Sequence, residues 1–205
     1  MRFHFKSFSI KQEQSAMKVG TDGVLLGAWV NPKSYPHQIL DVGTGTGLVA
    51  IMLAQRFVRS QIYAIDIDQA SNEEALFNTQ TSPWSERLNI THCALQDYNS
   101  SNKYDLIVSN PPYVNQYDID RMPDEYHYEP KLGLEAGENG LYSVHKILND
   151  ASRFLTNNGI LICEVGNSQK ALEDAYPNLP FIWIEFLDGG SGVFILHKCD
   201  LEGLE

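Results

Sequence analysis

The stretch that most constrains the fold is Ile39-Leu40-Asp41-Val42-Gly43-Thr44-Gly45-Thr46-Gly47, followed by Leu48-Val49-Ala50-Ile51-Met52-Leu53-Ala54-Gln55. An apolar run, glycines at alternate positions and then a second apolar run read as strand, tight turn and helix. The glycines permit the turn and let a ligand approach the backbone closely. A strand that feeds straight into a helix suits a parallel sheet, whose strands need crossover connections. The spacing D-x-G-x-G-x-G differs from the dinucleotide pattern G-x-G-x-x-G, and no P-loop lysine follows, which argues against a nucleoside triphosphate.

The same rhythm continues downstream. Gln61-Ile62-Tyr63-Ala64-Ile65-Asp66 reads as a second sheet strand, with its terminal acid 25 residues after Asp41. An acid there can accept hydrogen bonds from both hydroxyls of a ribose; Asp68 is the weaker candidate. A helix over 70–79, a turn over 82–87 and a third strand over 88–92 follow. Tyr104 to Ser109 is a fourth, buried strand. An amphipathic helix over 141–155 is expected to stop at Gly159, before a fifth strand over 160–165. A short helix covers 168–175. Residues 181–186 and 193–197 flank Asp188-Gly189-Gly190-Ser191-Gly192, a hairpin signal that closes the sheet. Upstream, Phe3, Phe5, Phe8 and Ile10 alternate as in an edge strand or hairpin. Thr21 or Asp22 is placed to cap a helix burying Val24, Leu25, Ala28 and Trp29. The expected architecture is α/β: a mostly parallel seven-stranded sheet with an antiparallel C-terminal hairpin. We expect one domain over 1–205, with an N-terminal extension over 1–33 and a substrate-side loop over 114–140.

Asn110-Pro111-Pro112-Tyr113 ends the fourth strand, because two prolines forbid its continuation. That places an amide, two rigid residues and an aromatic ring at the strand's C-terminal lip, where open α/β sheets bind ligands. The Asn110 side-chain carbonyl and the Pro111 carbonyl are two adjacent acceptors, a match for both hydrogens of a planar amino group. Tyr113 can stack on the flat system carrying it. Taken alone, the tetrapeptide also fits a plain strand-ending turn.

Composition narrows the partners. A net charge of −11 over 205 residues argues against a general nucleic-acid binder. The charge is uneven: residues 1–33 carry five bases and two acids, and residues 118–138 carry seven acids and two bases. No apolar stretch reaches membrane-spanning length, and the first residues lack the apolar core of a signal peptide. Cys93, Cys163 and Cys199 are widely spaced and form no metal pattern, and the six histidines show no ligand spacing. Reduced thiols in a cytoplasmic protein are expected. Glu164, at a strand end near the lip, is a lesser site candidate.

The glycine turn, the strand-end acid and Asn-Pro-Pro-Tyr occur in an order that resembles the class I S-adenosylmethionine-dependent N-methyltransferases. The two halves resemble different members of that class. Residues 1–113 are similar to bacterial tRNA1(Val) adenine-37 N(6)-methyltransferases, through Phe5-Lys6-x-Phe8, Ala16-Met17-Lys18-Val19-Gly20-Thr21-Asp22-Gly23, Leu25-Leu26-Gly27-Ala28-Trp29, Met52-Leu53-Ala54-Gln55-Arg56 and Ser82-Pro83-Trp84-Ser85-Glu86-Arg87. Residues 110–198 are similar to ribosomal-protein glutamine N(5)-methyltransferases, through Asn110-Pro111-Pro112-Tyr113-Val114, Glu129-Pro130-x-Leu132-Gly133-Leu134, Ile162-Cys163-Glu164-Val165-Gly166-Asn167-Ser168 and Gly189-Gly190-x-Gly192-Val193-Phe194. A chimera of the two families is therefore expected.

The resemblance implies S-adenosyl-L-methionine as cofactor. Its methionine end would lie on Asp41, Gly43, Gly45 and Gly47, and its ribose on Asp66. The backbone around Leu95 would meet its adenine, and Lys18, Thr21 and Asp22 would line its mouth. Where the tRNA enzymes carry an acid toward the adenine amino group, this chain has Ala94, with Asp97 three residues later. Asn110, Pro111 and Tyr113 would hold the methyl acceptor. The lead substrate is tRNA adenine N(6). The alternatives are a glutamine of a ribosomal protein, or a hybrid scaffold without activity. The glutamine enzymes resemble two-domain proteins; only about 38 residues precede the first sheet strand here, so their N-terminal helical domain is expected to be missing.

Overall fold

The computed structural model describes residues 1–112, 140–186 and 191–204. The chain opens with an antiparallel pair, β1 (Arg2–His4) and β2 (Ser9–Lys11), then α1 (Thr21–Trp29). The main sheet begins with β3 (Gln38–Val42), followed by α2 (Leu48–Arg56), β4 (Gln61–Asp66), α3 (Gln69–Gln80), β5 (Leu88–His92) and β6 (Tyr104–Ser109). After the acidic segment come α4 (Tyr142–Phe154), β7 (Leu155–Glu164), α5 (Gln169–Ala175), β8 (Ile182–Ile184), β9 (Val193–His197) and α6 (Lys198–Leu201).

Seven strands lie in the order β5-β4-β3-β6-β7-β9-β8, with β9 antiparallel to both neighbours and the others paired in parallel. This is the expected architecture, including the C-terminal β8–β9 pair. The chain steps outward from β3 to β4 and β5, then returns to β6 on the other side of β3. The crevice between the C-terminal ends of β3 and β6 is therefore the topological switch point, where such sheets take ligands.

Alternation along the strands sorts the core into two layers. Ile39, Ile62, Ala64, Leu106, Val108, Ile160 and Ile162 face α1 and α2. Leu40, Val42, Ile65, Ile107, Leu161 and Cys163 face α4. The α4 helix buries Val144, Ile147, Leu148, Ala151 and Phe154 on one face. Each large apolar side chain of that face contributes about 1.5–3 kcal/mol.

Two expectations are corrected. The α1 helix begins after Gly20, without a side-chain cap from Thr21 or Asp22, and its buried residues are Leu26 and Gly27. Ala28 is exposed, and Val24, Leu25 and Trp29 are half-buried. The helix is apolar almost all round, so periodicity gave no direction; close packing did. A Cβ on Gly27 would lie 2.8 Å from Met52 Sδ, so the α1 backbone sits directly on α2. The second correction concerns Gly159, which lies inside β7 rather than behind a helix. Leu155 pairs with Tyr104 and ends α4 four residues earlier.

Candidate active site

The glycine turn has φ of 72° at Gly43, 56° at Gly45 and 82° at Gly47, all in the left-handed region that side chains disfavour. The turn is pinned to the neighbouring strand: the Gly43 and Thr44 amides donate to the Ile65 carbonyl at 2.9 and 3.0 Å. A Cβ on Gly43 or Gly45 would meet nothing within 4 Å, so this backbone faces open space. Gly47 packs instead against Ala75 of α3, at 3.4 Å from a built Cβ.

Register makes a row of the strand ends. Val42 pairs with Ile65 and with Ser109, and Ser109 pairs with Cys163. One residue further on, Asp66, Gly43, Asn110 and Glu164 stand level across four adjacent strands. By alternation Asp66, Asn110 and Glu164 belong to the α1/α2 face, and so does Asp41, two residues below Gly43. The ends of β3 and β6 are also tied directly, because the buried Ser109 hydroxyl donates to the Val42 carbonyl at 2.7 Å. Pro111 is buried and Asn110 half-buried. Tyr113 lies outside the described residues, as does nearly all of the expected loop over 114–140.

The acids of this edge are held differently. Asp41 is 2% exposed, and its Oδ2 accepts from the Thr44 hydroxyl at 2.6 Å. Burial pushes its pKa to about 7, with the nearby charge of Asp66 adding to the rise, against the Thr44 hydroxyl and the Ala50 amide. Asp66 accepts the Gly45 amide on Oδ2 at 2.7 Å and the Asp68 amide on Oδ1 at 2.9 Å. Burial still holds its pKa above the usual value, although both amides oppose this. Asp68 caps α3 by accepting from the Ser71 amide at 2.7 Å, a structural role.

Of the remaining expected cofactor contacts, Thr21 is the first residue of α1. The helices α1 and α2 run parallel, since Gly27 packs on Met52 and Gly23 lies beside Leu48. Both N-termini, with their partial positive charge, therefore reach the carboxyl edge. Lys18 is exposed, just upstream. Leu95 is 5% exposed with its side chain in the core on the α4 side, so only its backbone is placed for a ligand. The residues fit S-adenosyl-L-methionine on two counts. The glycine turn leaves space against its backbone, and each Asp66 oxygen accepts one amide and keeps a second lone pair for a ribose diol. Among the described residues no group of His, Cys, Asp or Glu is placed to hold a metal ion, and no helix is long and apolar enough to cross a membrane.

Sequence reasoning missed Ser109 and Glu74. A serine closing an otherwise apolar strand was a signal for the first. The second lies on α3, where its two oxygens accept the amides of Glu13, Gln14 and Ser15 at 2.7–3.3 Å. Nothing local marks that acid as buried.

Comparison with known proteins agrees with this fold. Residues 17–123 match the family described as methyltransferase small domain. The chain is 44% identical over 173 residues to the ribosomal protein uL3 glutamine methyltransferase of Francisella tularensis, covering 84% of this chain and 55% of that protein. It is 38% identical over 177 residues to the protein of that name from Neisseria meningitidis serogroup A, covering 86% and 58%. The chain thus spans little more than half the length of the curated relatives it matches. Matches of that length reach into both halves and leave 14–16% of this chain outside them; nothing found shows a chimera. Among solved structures, an O-methyltransferase-like protein of Nostoc punctiforme aligns with a TM-score of 0.59 at 16% identity, covering 85% of this chain and 55% of that one, a likeness of fold. With half of its residues matched by the family, and with the sheet and glycine turn described above, the chain belongs to the methyltransferase small domain family.

Proposed function

We propose that the chain is the catalytic part of an S-adenosyl-L-methionine-dependent N-methyltransferase whose acceptor is a glutamine side-chain amide of a ribosomal protein. The carrying observation is the level placement of Gly43 and Asn110 at the switch point, with β3 and β6 locked by the Ser109 hydroxyl on the Val42 carbonyl. The bound cofactor supplies a methyl carbon made electrophilic by a positively charged sulfur. The Asn110 Oδ1 and the Pro111 carbonyl accept the two amide hydrogens and turn the nitrogen toward that carbon. Pro111 has a fixed φ, and the following Pro112 confines its ψ to the extended range, which keeps its carbonyl in place. Tyr113 is proposed to cover the amide plane. Most of the rate gain comes from this positioning, since the acceptor atoms are set before substrate arrives.

The relatives named for uL3 glutamine methylation favour the amide over an adenine, the sequence's leading expectation. Charge points the same way. The net −11 and the acid-rich 118–138 segment oppose a phosphate backbone and suit a cationic protein partner. The proposed reaction takes place in the cytoplasm, where ribosomal proteins are made. The test is methyl-labelled cofactor incubated with the full chain and either ribosomal protein uL3 or total tRNA. Label on a uL3 glutamine supports the proposal, and its loss by ~100-fold or more in Asn110→Ala, with cofactor affinity kept, places the residue at the acceptor. Label in tRNA instead would overturn the substrate reading.

A further inference from the structure

Glu164 stands beside the acceptor pair without any role in the scheme above. It ends β7, level with Asn110 on β6 and one strand spacing away, about 4.8 Å. Alternation places it on the face of Ile160 and Ile162, the face shared by Asp41 and Asp66. Its side chain is 5% exposed, and Oε2 has no hydrogen-bond partner. An acceptor buried in that state is costly unless it carries a proton or meets a cation.

Among the described residues the groups around it supply no cation. From α1 comes Asp22, whose charge repels it. From β9 comes Val193, its register partner. From β6 comes Asn110, while Ser109 lies on the opposite face with its hydroxyl given to Val42. Further along the row, on β3 and β4, stand Asp41 and Asp66. Among the described residues no lysine, arginine or histidine acts on it. Burial, with Asp22 adding to it, pushes the Glu164 pKa to about 8, so at neutral pH the carboxyl is mostly protonated. Asp41 and Asp66 have hydroxyl and amide donors that offset part of their burial, although Asp41 is still raised to about 7.

We propose that Glu164 is the charge-compensating carboxyl of the methyl-transfer site: it releases its proton when a positively charged methyl donor occupies the glycine turn, and takes a proton back from the methylated nitrogen. This rests on the methyl-transfer reading. The chemistry balances. The nitrogen lone pair forms the N–C bond, the S–C bond breaks with its electron pair left on sulfur, and the positive charge passes from sulfur to nitrogen. The methylated nitrogen then gives one hydrogen as a proton to the Glu164 carboxylate. Thioether, methylamide and carboxyl group are all neutral, as the site was before the donor arrived.

The test is calorimetric and needs no turnover. S-adenosylmethionine and its uncharged thioether product S-adenosylhomocysteine are titrated into the full chain at pH 7, in buffers of different ionisation enthalpy. The wild type is expected to release up to about one proton more with the charged ligand than with the product. Glu164→Gln, which mimics the protonated form, is expected to bind both ligands and lose the larger share of that difference, keeping only what Asp41, itself raised to about 7, releases. In the wild type the difference should also vanish at about pH 9.5, where the carboxyl is already ionised. Equal proton counts for the two ligands in the wild type at pH 7, or a difference undiminished in Glu164→Gln, overturns the inference alone. A wild type that binds neither ligand overturns the methyltransferase reading with it.

Discussion

Glu74→Gln tests how the first twenty residues are held on the domain. Glu74 is 3% exposed on α3, and its carboxylate accepts the Glu13 amide at 2.7 Å, the Ser15 amide at 2.9 Å and the Gln14 amide at 3.3 and 3.2 Å. One turn on, Asn78 bonds the Lys11 backbone in both directions at 2.8 Å and donates to the Thr46 carbonyl at 2.8 Å, joining this latch to the glycine turn. Burial alone would raise the Glu74 pKa, but the amides of Glu13, Ser15 and Gln14 outweigh it and hold the carboxyl below its ordinary value. Glutamine keeps one acceptor oxygen and turns an NH2 group against backbone amides. Two charge-assisted bonds are lost, at about 1.5–3 kcal/mol each, and relaxation of the segment recovers part. A net cost of about 3 kcal/mol corresponds to a melting temperature lower by about 6–12 °C in a chain of this size.

The sign with pH follows from the lowered pKa. The carboxylate's contribution is present above its unfolded value of 4.5 and is lost as pH falls through the lower folded value, so wild type and variant converge in acid. Thermal melts at pH 7 and hydrogen exchange at residues 13–15 measure the effect. If the segment detaches before the domain unfolds, exchange at those amides rises while the melt moves little. Superimposable melts together with unchanged exchange at residues 13–15 would refute the latch.

Three further outcomes are expected. Gly192→Ala places a Cβ 2.2 Å from the Gly166 carbonyl oxygen at a φ of 77°; with backbone on both sides there is no side chain to yield, so soluble yield or denaturant midpoint should fall sharply. Ser109→Ala removes the bond that ties β6 to β3, and should cost about 1 kcal/mol in stability. Its turnover should drop ~10-fold with cofactor affinity nearly unchanged, because it loosens the acceptor pair and not the glycine turn. Glu164→Gln should become more stable than wild type as pH rises. The wild-type carboxyl shifts from 4.5 to about 8 on folding, so native stability falls between those values and levels off above, by at most a few kcal/mol; urea midpoints from pH 5 to 9 report it.

The strands were legible because their signals are local. Most of the seven carry an apolar run bounded by glycine, proline or polar residues, the alternating Leu88-Asn89-Ile90-Thr91-His92 being an exception, and a strand needs only a few residues to show itself. Asp41, Gly43, Gly45 and Gly47 were legible for the same reason, since a turn with three left-handed residues leaves little choice but glycine. Local signals failed where a neighbour distant in the chain decided the outcome. The α1 helix has apolar residues on every side, so its buried face was chosen by the fit of Gly27 on Met52. The end of α4 was set by Leu155 pairing with Tyr104, which no cap or glycine announces.

The tertiary structure also decided what the acids mean. Asp22, Asp66, Glu74 and Glu164 are four carboxylic acids of the same chemistry in the sequence. Strand register put Glu164 level with Asn110, and α1 brought Asp22 against it. The meeting of α3 with residues 13–15, some sixty positions away, gave Glu74 its amides. Whether a buried acid is ionised depends on the donors and charges within a few ångströms. Those neighbours come from other elements, so a linear sequence gives the residues and only the packed sheet gives their protonation.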